Sequence, residues 1–91
     1  MATLIVPSGW APSTDGHTRL PISGNSIGVI LTELAARYPD IRRRIFVPGG
    51  QALGSWINVF VQDEDIRERD GLETPVSSDG TVLIVPAVAG G

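Results

Sequence analysis

The sequence predicts a single α+β domain in which one main helix packs across a mixed sheet of four to five strands. Short apolar runs bounded by turn residues indicate strands, and one stretch of apolar residues at helical spacing indicates the helix. Their order is strand, strand, helix, strand, short strand, strand. The 91 residues suit one domain and contain no repeat or linker, so the sheet must share its core with the helix.

The first half of the chain supplies two strands and the helix. Residues 3–6 and 18–22 are the strands, and the loop between them, 7–16, is rich in Pro, Gly, Ser and Asp. Asn25 or Ser26 provides the N-cap. Pro39 ends the helix, because proline disfavours the helical conformation of the residue before it. A short further helical turn is expected over 40–46. The stripe facing the sheet comprises Ile27, Ile30, Leu31, Leu34 and Tyr38.

The second half supplies the remaining strands. Residues 47–55 read as a loop, and residues 57–62 alternate as a strand that leads into a polar turn at 62–65. Ile66 is expected to begin a short returning strand. A turn at 77–81 then precedes the last strand, 81–85.

Alternation along the strands predicts an apolar patch on the open face of the sheet. Val82 and Ile84 share the face toward the helix, while the set containing Asn58 and Gln62 is wetter and points away. We expect this open-face patch to be a partner-docking site; the alternative is that the loop 48–55 covers it. The open-face patch consists of Phe60, Leu83 and Val85.

Composition excludes several kinds of chemistry. The chain has no cysteine and no lysine, so it offers no disulfide, no zinc–thiolate site, no thiol nucleophile and no side-chain amine. The net charge of −3 argues against nucleic acid as the main partner. No apolar run is long enough for a membrane span or a signal peptide, so we expect a cytoplasmic protein without a membrane partner.

Several polar and aromatic residues could carry a function by themselves. His17 stands alone in a loop, and the acidic residues 63–65 lack the spacing of a calcium loop, so we expect solvated surface and no metal site at either place. For residues 63–65 the alternative is a contact with a basic partner surface. The three arginines at 42–44 predict a solvated basic turn, with an acidic docking site as the alternative. We expect the side chains of Trp10 and Trp56 each to cover part of the hydrophobic core; the alternative for each is a binding hot spot.

The ending, "VLIVPAVAGG", goes directly from a core strand to two glycines. We predict a domain over residues 1–85 and a flexible tail over residues 86–91. Six extended residues reach about 20 Å. Pro86 stiffens the exit, and the final glycines have no Cβ, so the tail can enter a narrow passage and deliver the Gly91 carboxylate. The residues that would thread such a passage are Pro86, Ala87, Val88, Ala89 and Gly90.

The Gly91 carboxylate must be activated before it can react. A free α-carboxyl group has a pKa of about 3.5, so it is ionised and a poor electrophile. An acyl-adenylate made with ATP is the standard remedy. The sequence contains no phosphate-binding glycine loop with a lysine and no catalytic dyad. We therefore expect a non-enzymatic carrier that binds no cofactor and has no catalytic residue of its own, while a partner enzyme uses ATP.

The order of elements and the ending resemble the ubiquitin-like β-grasp sulfur carriers of the ThiS/MoaD superfamily. The resemblance covers nearly the whole chain and is strongest over "INVFVQDEDIR" and "GLETPVSSDGTVLIVPAVAGG". The AVAGG ending is similar to that of the carriers of the actinobacterial cysteine pathway. Molybdopterin-synthase small subunits tend to have a Pro-Pro-Val tail, whereas this chain has the single Pro86.

The resemblance implies a mechanism and a set of partners. An E1-like adenylyltransferase and sulfurtransferase would adenylate Gly91, and sulfur would displace AMP to leave a covalent 1-thioglycine, the thiocarboxylate. Its sulfur would pass to an aminoacrylate on a PLP-dependent cysteine synthase or an analogue, and a zinc metalloprotease would release the product. Three alternatives stay open: a protein modifier conjugated through Gly91, a molybdopterin-synthase small subunit, and an interaction subunit whose tail only docks.

Overall fold

The sheet in the computed structural model has five strands in the order β2-β1-β5-β3-β4. The structure describes residues 1–50 and 52–86. β1 and β5 are parallel neighbours, and every other neighbouring pair is antiparallel, which confirms the predicted mixed sheet. The strands are β1 Ala2–Ile5, β2 Arg19–Ile22, β3 Ile57–Val61, β4 Glu64–Asp65 and β5 Thr81–Pro86.

Two helices follow β2. The main helix, α1, spans Ile27–Arg37, and Ser26 caps it, with its hydroxyl accepting a hydrogen bond from the Val29 amide at 3.3 Å. Pro39 ends α1 as predicted and also opens α2, which spans Pro39–Ile45. The short helical turn expected after Pro39 is therefore a helix of seven residues.

The core lies between α1, α2 and one face of the sheet. The predicted alternation is confirmed, because the side chains of β3 and β5 that were assigned to the helix-facing side are buried. Four of the five stripe residues of α1 are also fully buried, while Tyr38 packs at the margin. The largest fully buried side chains include Leu4, Ile22, Ile27, Ile30, Leu31, Leu34, Val59, Val82 and Ile84.

The turn after β3 differs from the sequence prediction. Gln62 and Asp63 both have positive φ, 51° and 70°, so a two-residue turn joins β3 directly to β4. The prediction that Ile66 begins the returning strand is wrong, because that strand ends at Asp65. Ile66 instead begins a 3-10 helix, Ile66–Glu68, and its side chain enters the core. The Asp65 carboxylate caps this 3-10 helix by accepting a hydrogen bond from the Arg67 amide at 2.8 Å.

The predicted loop between β1 and β2 contains a 3-10 helix, Ser8–Ser13. Its Trp10 side chain is only 7% exposed and belongs to the core, which confirms its role as core cover. The buried Thr14 hydroxyl donates a hydrogen bond to the His17 carbonyl and holds the following turn. A second 3-10 helix, Gly71–Glu73, was not predicted.

β5 continues one residue beyond the predicted strand. Pro86, which we assigned to the tail, pairs with Ile57 at the end of β3. The other predicted tail residues, 87–91, lie outside the described residues. Among the helices described, none has the length and apolar character needed to cross a bilayer.

Candidate functional site

The open-face patch lies on the side of the sheet away from α1. Phe60 and Leu83 face each other across β3 and β5, and Val85 is opposite Asn58 in the next row. All three patch side chains are half-buried, as expected for residues on an uncovered sheet face. The structure thus brings together the three residues that we predicted to form a patch. Their role in docking stays a prediction.

The described residues of the loop after α2 pack against the end of that helix and not on the open-face patch. The Val47 amide donates to the Ala52 carbonyl at 2.9 Å, and the Gly54 amide donates to the Ile45 carbonyl at 2.7 Å, which holds the loop to the end of α2. Among the described residues, those lining the cavity of about 290 Å³ on the open face come from β1, β3, β5 and the β3–β4 turn. They are Ile5, Phe60, Gln62, Asp63, Thr81 and Leu83.

A polar network borders the patch and was not foreseen from the sequence. Asp65 is opposite Phe60 in the β3–β4 pair, and the Arg67 guanidinium donates to its Oδ2 at 2.9 Å. The same guanidinium also donates to Asn58 Oδ1. Hydrogen bonds from the Arg67 side chain and backbone hold the pKa of the Asp65 carboxyl below its ordinary value, and the pKa of Arg67 is raised in turn. The sequence indicates a solvated turn at 63–65, and the alternation of side chains along β3 cannot by itself reveal this cross-strand contact.

The base of the tail is fixed by strand pairing. Because β3 and β5 are antiparallel and Ile57 pairs with Pro86, the chain leaves the sheet beside the first residue of β3. β5 lies between β1 and β3; β1 pairs with Thr81–Leu83, and β3 pairs with β5 as far as Pro86, so β3 holds the departure point. The predicted reactive residue, Gly91, lies outside the described residues, as do Ala87, Val88, Ala89 and Gly90.

The remaining candidates are surface features. His17 is exposed. Arg42 lies over the Phe46 ring, 5.4 Å from its centroid, and Arg43 is 4.0 Å from Asp40, a distance typical of a weak exposed ion pair. Within residues 1–50 and 52–86, no cluster of three or more His, Cys, Asp or Glu side chains could hold a metal ion.

A mixed sheet with a helix across one face and a central last strand that runs into the tail defines a ubiquitin-like β-grasp protein. Comparison with known proteins identifies the family. The chain belongs to the ThiS family, which matches residues 13–91. It is 36% identical over 90 residues to the sulfur carrier protein CysO of Mycobacterium tuberculosis, covering 98% of this chain and 97% of that protein.

Solved structures agree with this assignment. A chain in the crystal structure of the Amycolatopsis orientalis BexX/CysO complex has a TM-score of 0.89 and 33% identity, with 100% of both chains covered. The small archaeal modifier protein 1 of Methanosarcina acetivorans has a TM-score of 0.88 and 27% identity, covering 99% of this chain and 95% of that one. The chain is a homologue of the CysO sulfur carriers, and the resemblance found in its sequence is confirmed.

Proposed function

We propose that the chain carries sulfur as a thiocarboxylate on Gly91. The observation that carries this proposal is the match to a named sulfur carrier over 98% of the chain, supported by a family match that extends through Gly91. The paired end of β5 supports it further, because a tail that starts at Pro86, which β3 holds in the sheet, has a fixed origin. A partner enzyme can therefore orient the domain and receive the tail in one defined direction.

Two steps account for the chemistry. The Gly91 carboxylate attacks the α-phosphorus of ATP, which forms an acyl-adenylate and releases pyrophosphate. A sulfur nucleophile then attacks the acyl carbon and releases AMP, which leaves the 1-thioglycine. An E1-like adenylyltransferase and sulfurtransferase supplies the ATP site and the catalytic groups, so this chain acts as carrier and co-substrate in the cytoplasm.

We propose that the open-face patch docks the activating enzyme while residues 86–91 thread into its active site. Phe60, Leu83 and Val85 support this role because they form apolar surface on the sheet face that leads to the tail base. The Asp65–Arg67–Asn58 network borders this surface with polar groups, as is usual at the rim of an interface. Docking and threading together would place Gly91 at the ATP site.

The sulfur acceptor is proposed to be a biosynthetic enzyme of the cysteine-forming type. Addition of the thiocarboxylate sulfur to an aminoacrylate on a PLP-dependent cysteine synthase or analogue forms a carbon–sulfur bond. The adduct rearranges to an amide, and a zinc metalloprotease hydrolyses that amide to release product and carrier. The BexX/CysO complex shows a CysO protein assembled with a second protein, and we extend that mode of partnership to this chain.

A second candidate is conjugation to other proteins. The likeness to an archaeal small modifier protein favours it, since the same activated Gly91 can acylate an amine instead of accepting sulfur. The two functions share the adenylate and differ in the nucleophile. A ladder of higher-mass adducts, detected by immunoblot in cells that express the tagged chain, would indicate the modifier.

An activation assay tests the proposal. The chain and a variant lacking Gly91 are each incubated with the cognate activating enzyme, ATP and sulfide. The full chain is expected to support ATP–pyrophosphate exchange and then to gain about 16 Da, because one oxygen is replaced by sulfur. The shortened variant, with its carboxylate one residue short of the active site, should do neither. Equal exchange with both chains, or exchange without a mass gain, would contradict the proposal.

A further inference from the structure

Trp56 lies at the base of the tail. It immediately precedes β3, whose first residue, Ile57, pairs with Pro86, the last residue of β5. In an antiparallel pair, the residues before one strand border the residues after the other. Trp56 therefore flanks the point from which the tail departs, at the opposite end of β5 from Thr81.

The Trp56 ring is held from two sides. Its Nε1 donates a hydrogen bond to the Arg44 carbonyl at 2.8 Å, at the end of α2. Its six-membered ring lies directly on Gly54, where a Cβ would come within 2.4 Å of two ring carbons. Gly54 is itself buried and hydrogen-bonded to Ile45. The ring is thus preorganised, and a partner that packs on it need not restrict a freely rotating side chain.

The ring remains 37% exposed although it is held in this way, whereas Trp10 is 7% exposed. Gly54, on which the ring lies, also lines a cavity of about 320 Å³, together with Ser55, Ile57 and the apolar residues that face them. We call this ring and cavity the tail-base anchor. Besides Trp56, its main apolar members are Leu53, Ile57, Ile66 and Leu72.

We propose that the tail-base anchor receives an aliphatic side chain from the lip of the channel into which the activating enzyme draws the tail. The inference rests on the proposed function. From Pro86 to Gly91 the chain spans six residues, at most about 20 Å. An enzyme that holds Gly91 at its active site must therefore bring the mouth of its channel against the tail base. The anchor is apolar surface at that place, and tryptophan is among the residues enriched at binding hot spots.

Fluorine NMR tests the anchor without altering the contact. The chain is labelled with 5-fluorotryptophan, which gives one resonance for Trp56 and one for Trp10. Addition of the cognate activating enzyme, without ATP, is expected to shift or broaden the Trp56 resonance and to leave the environment of buried Trp10 unchanged. A Trp56 resonance that stays in place under saturating enzyme would overturn the inference.

Kinetics of activation provide the second measurement. For Trp56→Leu, the KM of the activating enzyme for the carrier should rise about tenfold or more with kcat nearly unchanged, as expected for a docking residue. Trp56→Phe keeps a ring on Gly54 and should give an intermediate KM. The control is Ser78→Ala, because Ser78 is exposed in the turn before Thr81, at the end of β5 opposite Pro86. An unchanged KM for Trp56→Leu would refute the anchor. If the unmodified chain acquires no sulfur at all, the proposed function fails instead.

Discussion

Gly54 shows how the absence of a side chain positions a neighbour. The Trp56 ring occupies the space that a Cβ at residue 54 would need, so the ring and the backbone lie in direct contact. Nothing in the sequence marked this glycine, because "VPGGQALGS" reads simply as a loop. The close approach depends on where α2 ends, and no local pattern encodes that relation.

Gly54→Ala is expected to destabilise the domain by about 1–3 kcal/mol, because the new methyl group must displace the ring. Urea unfolding measures the loss, and the fluorescence emission of Trp56 should shift to longer wavelength as its ring is pushed into water. Gly9→Ala is the control, since a Cβ at residue 9 meets no atom within 4 Å. Equal stability of the two variants would show that the ring does not press on Gly54.

Asp65 is expected to make the stability of the domain depend on pH in the acid range. Hydrogen bonds from Arg67 lower the pKa of Asp65 from its ordinary value of 3.8, so the folded state favours the charged carboxylate. The stabilisation is therefore present above that value and is lost as the pH falls through the lowered folded-state pKa. The thermal midpoint of Asp65→Asn should lie below that of the unmodified chain at pH 7, and the difference should shrink below about pH 4.

The control for acid response is Asp40→Asn. Asp40 and Arg43 are both largely exposed and 4.0 Å apart, so this substitution should change the thermal midpoint little at either pH. A gap between the unmodified chain and Asp65→Asn that stays constant from pH 7 to pH 3 would contradict an electrostatic role for the Asp65–Arg67 pair.

Within β3, core residues alternate with residues of the open face, which we propose to be the docking surface. Val59 is fully buried beneath α1, whereas its neighbour Phe60 is half-exposed on the opposite face. Val59→Ala should lower the free energy of unfolding by about 2 kcal/mol through lost contacts and a residual cavity. Once folded, this variant should bind the activating enzyme normally.

Phe60→Ala should weaken binding to the activating enzyme more than it lowers stability, the opposite of Val59→Ala. Its effect on the free energy of unfolding is expected to be smaller than that of Val59→Ala, because the Phe60 ring is only half-buried. Its dissociation constant from the activating enzyme should rise about tenfold, because truncation of a central apolar anchor is costly. Titration calorimetry with both variants checks the contrast, and equal dissociation constants would remove Phe60 from the docking surface.

Elements with a clear period could be predicted, whereas short or glycine- and proline-rich ones could not. The stripe of α1 and the alternation of β3 and β5 each extend over several residues, so local pattern determines them. β4 has only two residues and no period. The 3-10 helix Ser8–Ser13 contains a glycine and a proline, which indicate a loop when read in isolation, and the buried Trp10 side chain stabilises it instead.

At the scale of the whole molecule, chemistry and fold belong to different parts of the chain. The reactive end, Gly91, stays a prediction from the sequence alone, and that prediction uses no three-dimensional context. The tail base could not be predicted, because Pro86 reaches Ile57, and Arg67 reaches Asn58, only through the register of β3 with β5 and β4. The described structure thus adds the surface that we propose a partner recognises.

This division predicts that the tail serves function and contributes little to folding. A chain lacking Gly90 and Gly91 should keep the thermal midpoint of the full chain, since the described core and sheet pairing involve residues up to Pro86. The same truncation should abolish acceptance of sulfur. A large loss of stability on truncation, measured by differential scanning calorimetry, would show that the terminal glycines belong to the folded domain.

The most direct test of the account is the mass of the terminus itself. After incubation of the full chain with its activating enzyme, ATP and sulfide, fragmentation of the intact protein in a mass spectrometer locates any added mass. We expect a gain of about 16 Da confined to the fragment that contains Gly91, and its loss after mild hydrolysis. An unmodified terminus under conditions in which the enzyme consumes ATP, or added mass on any other residue, would contradict it.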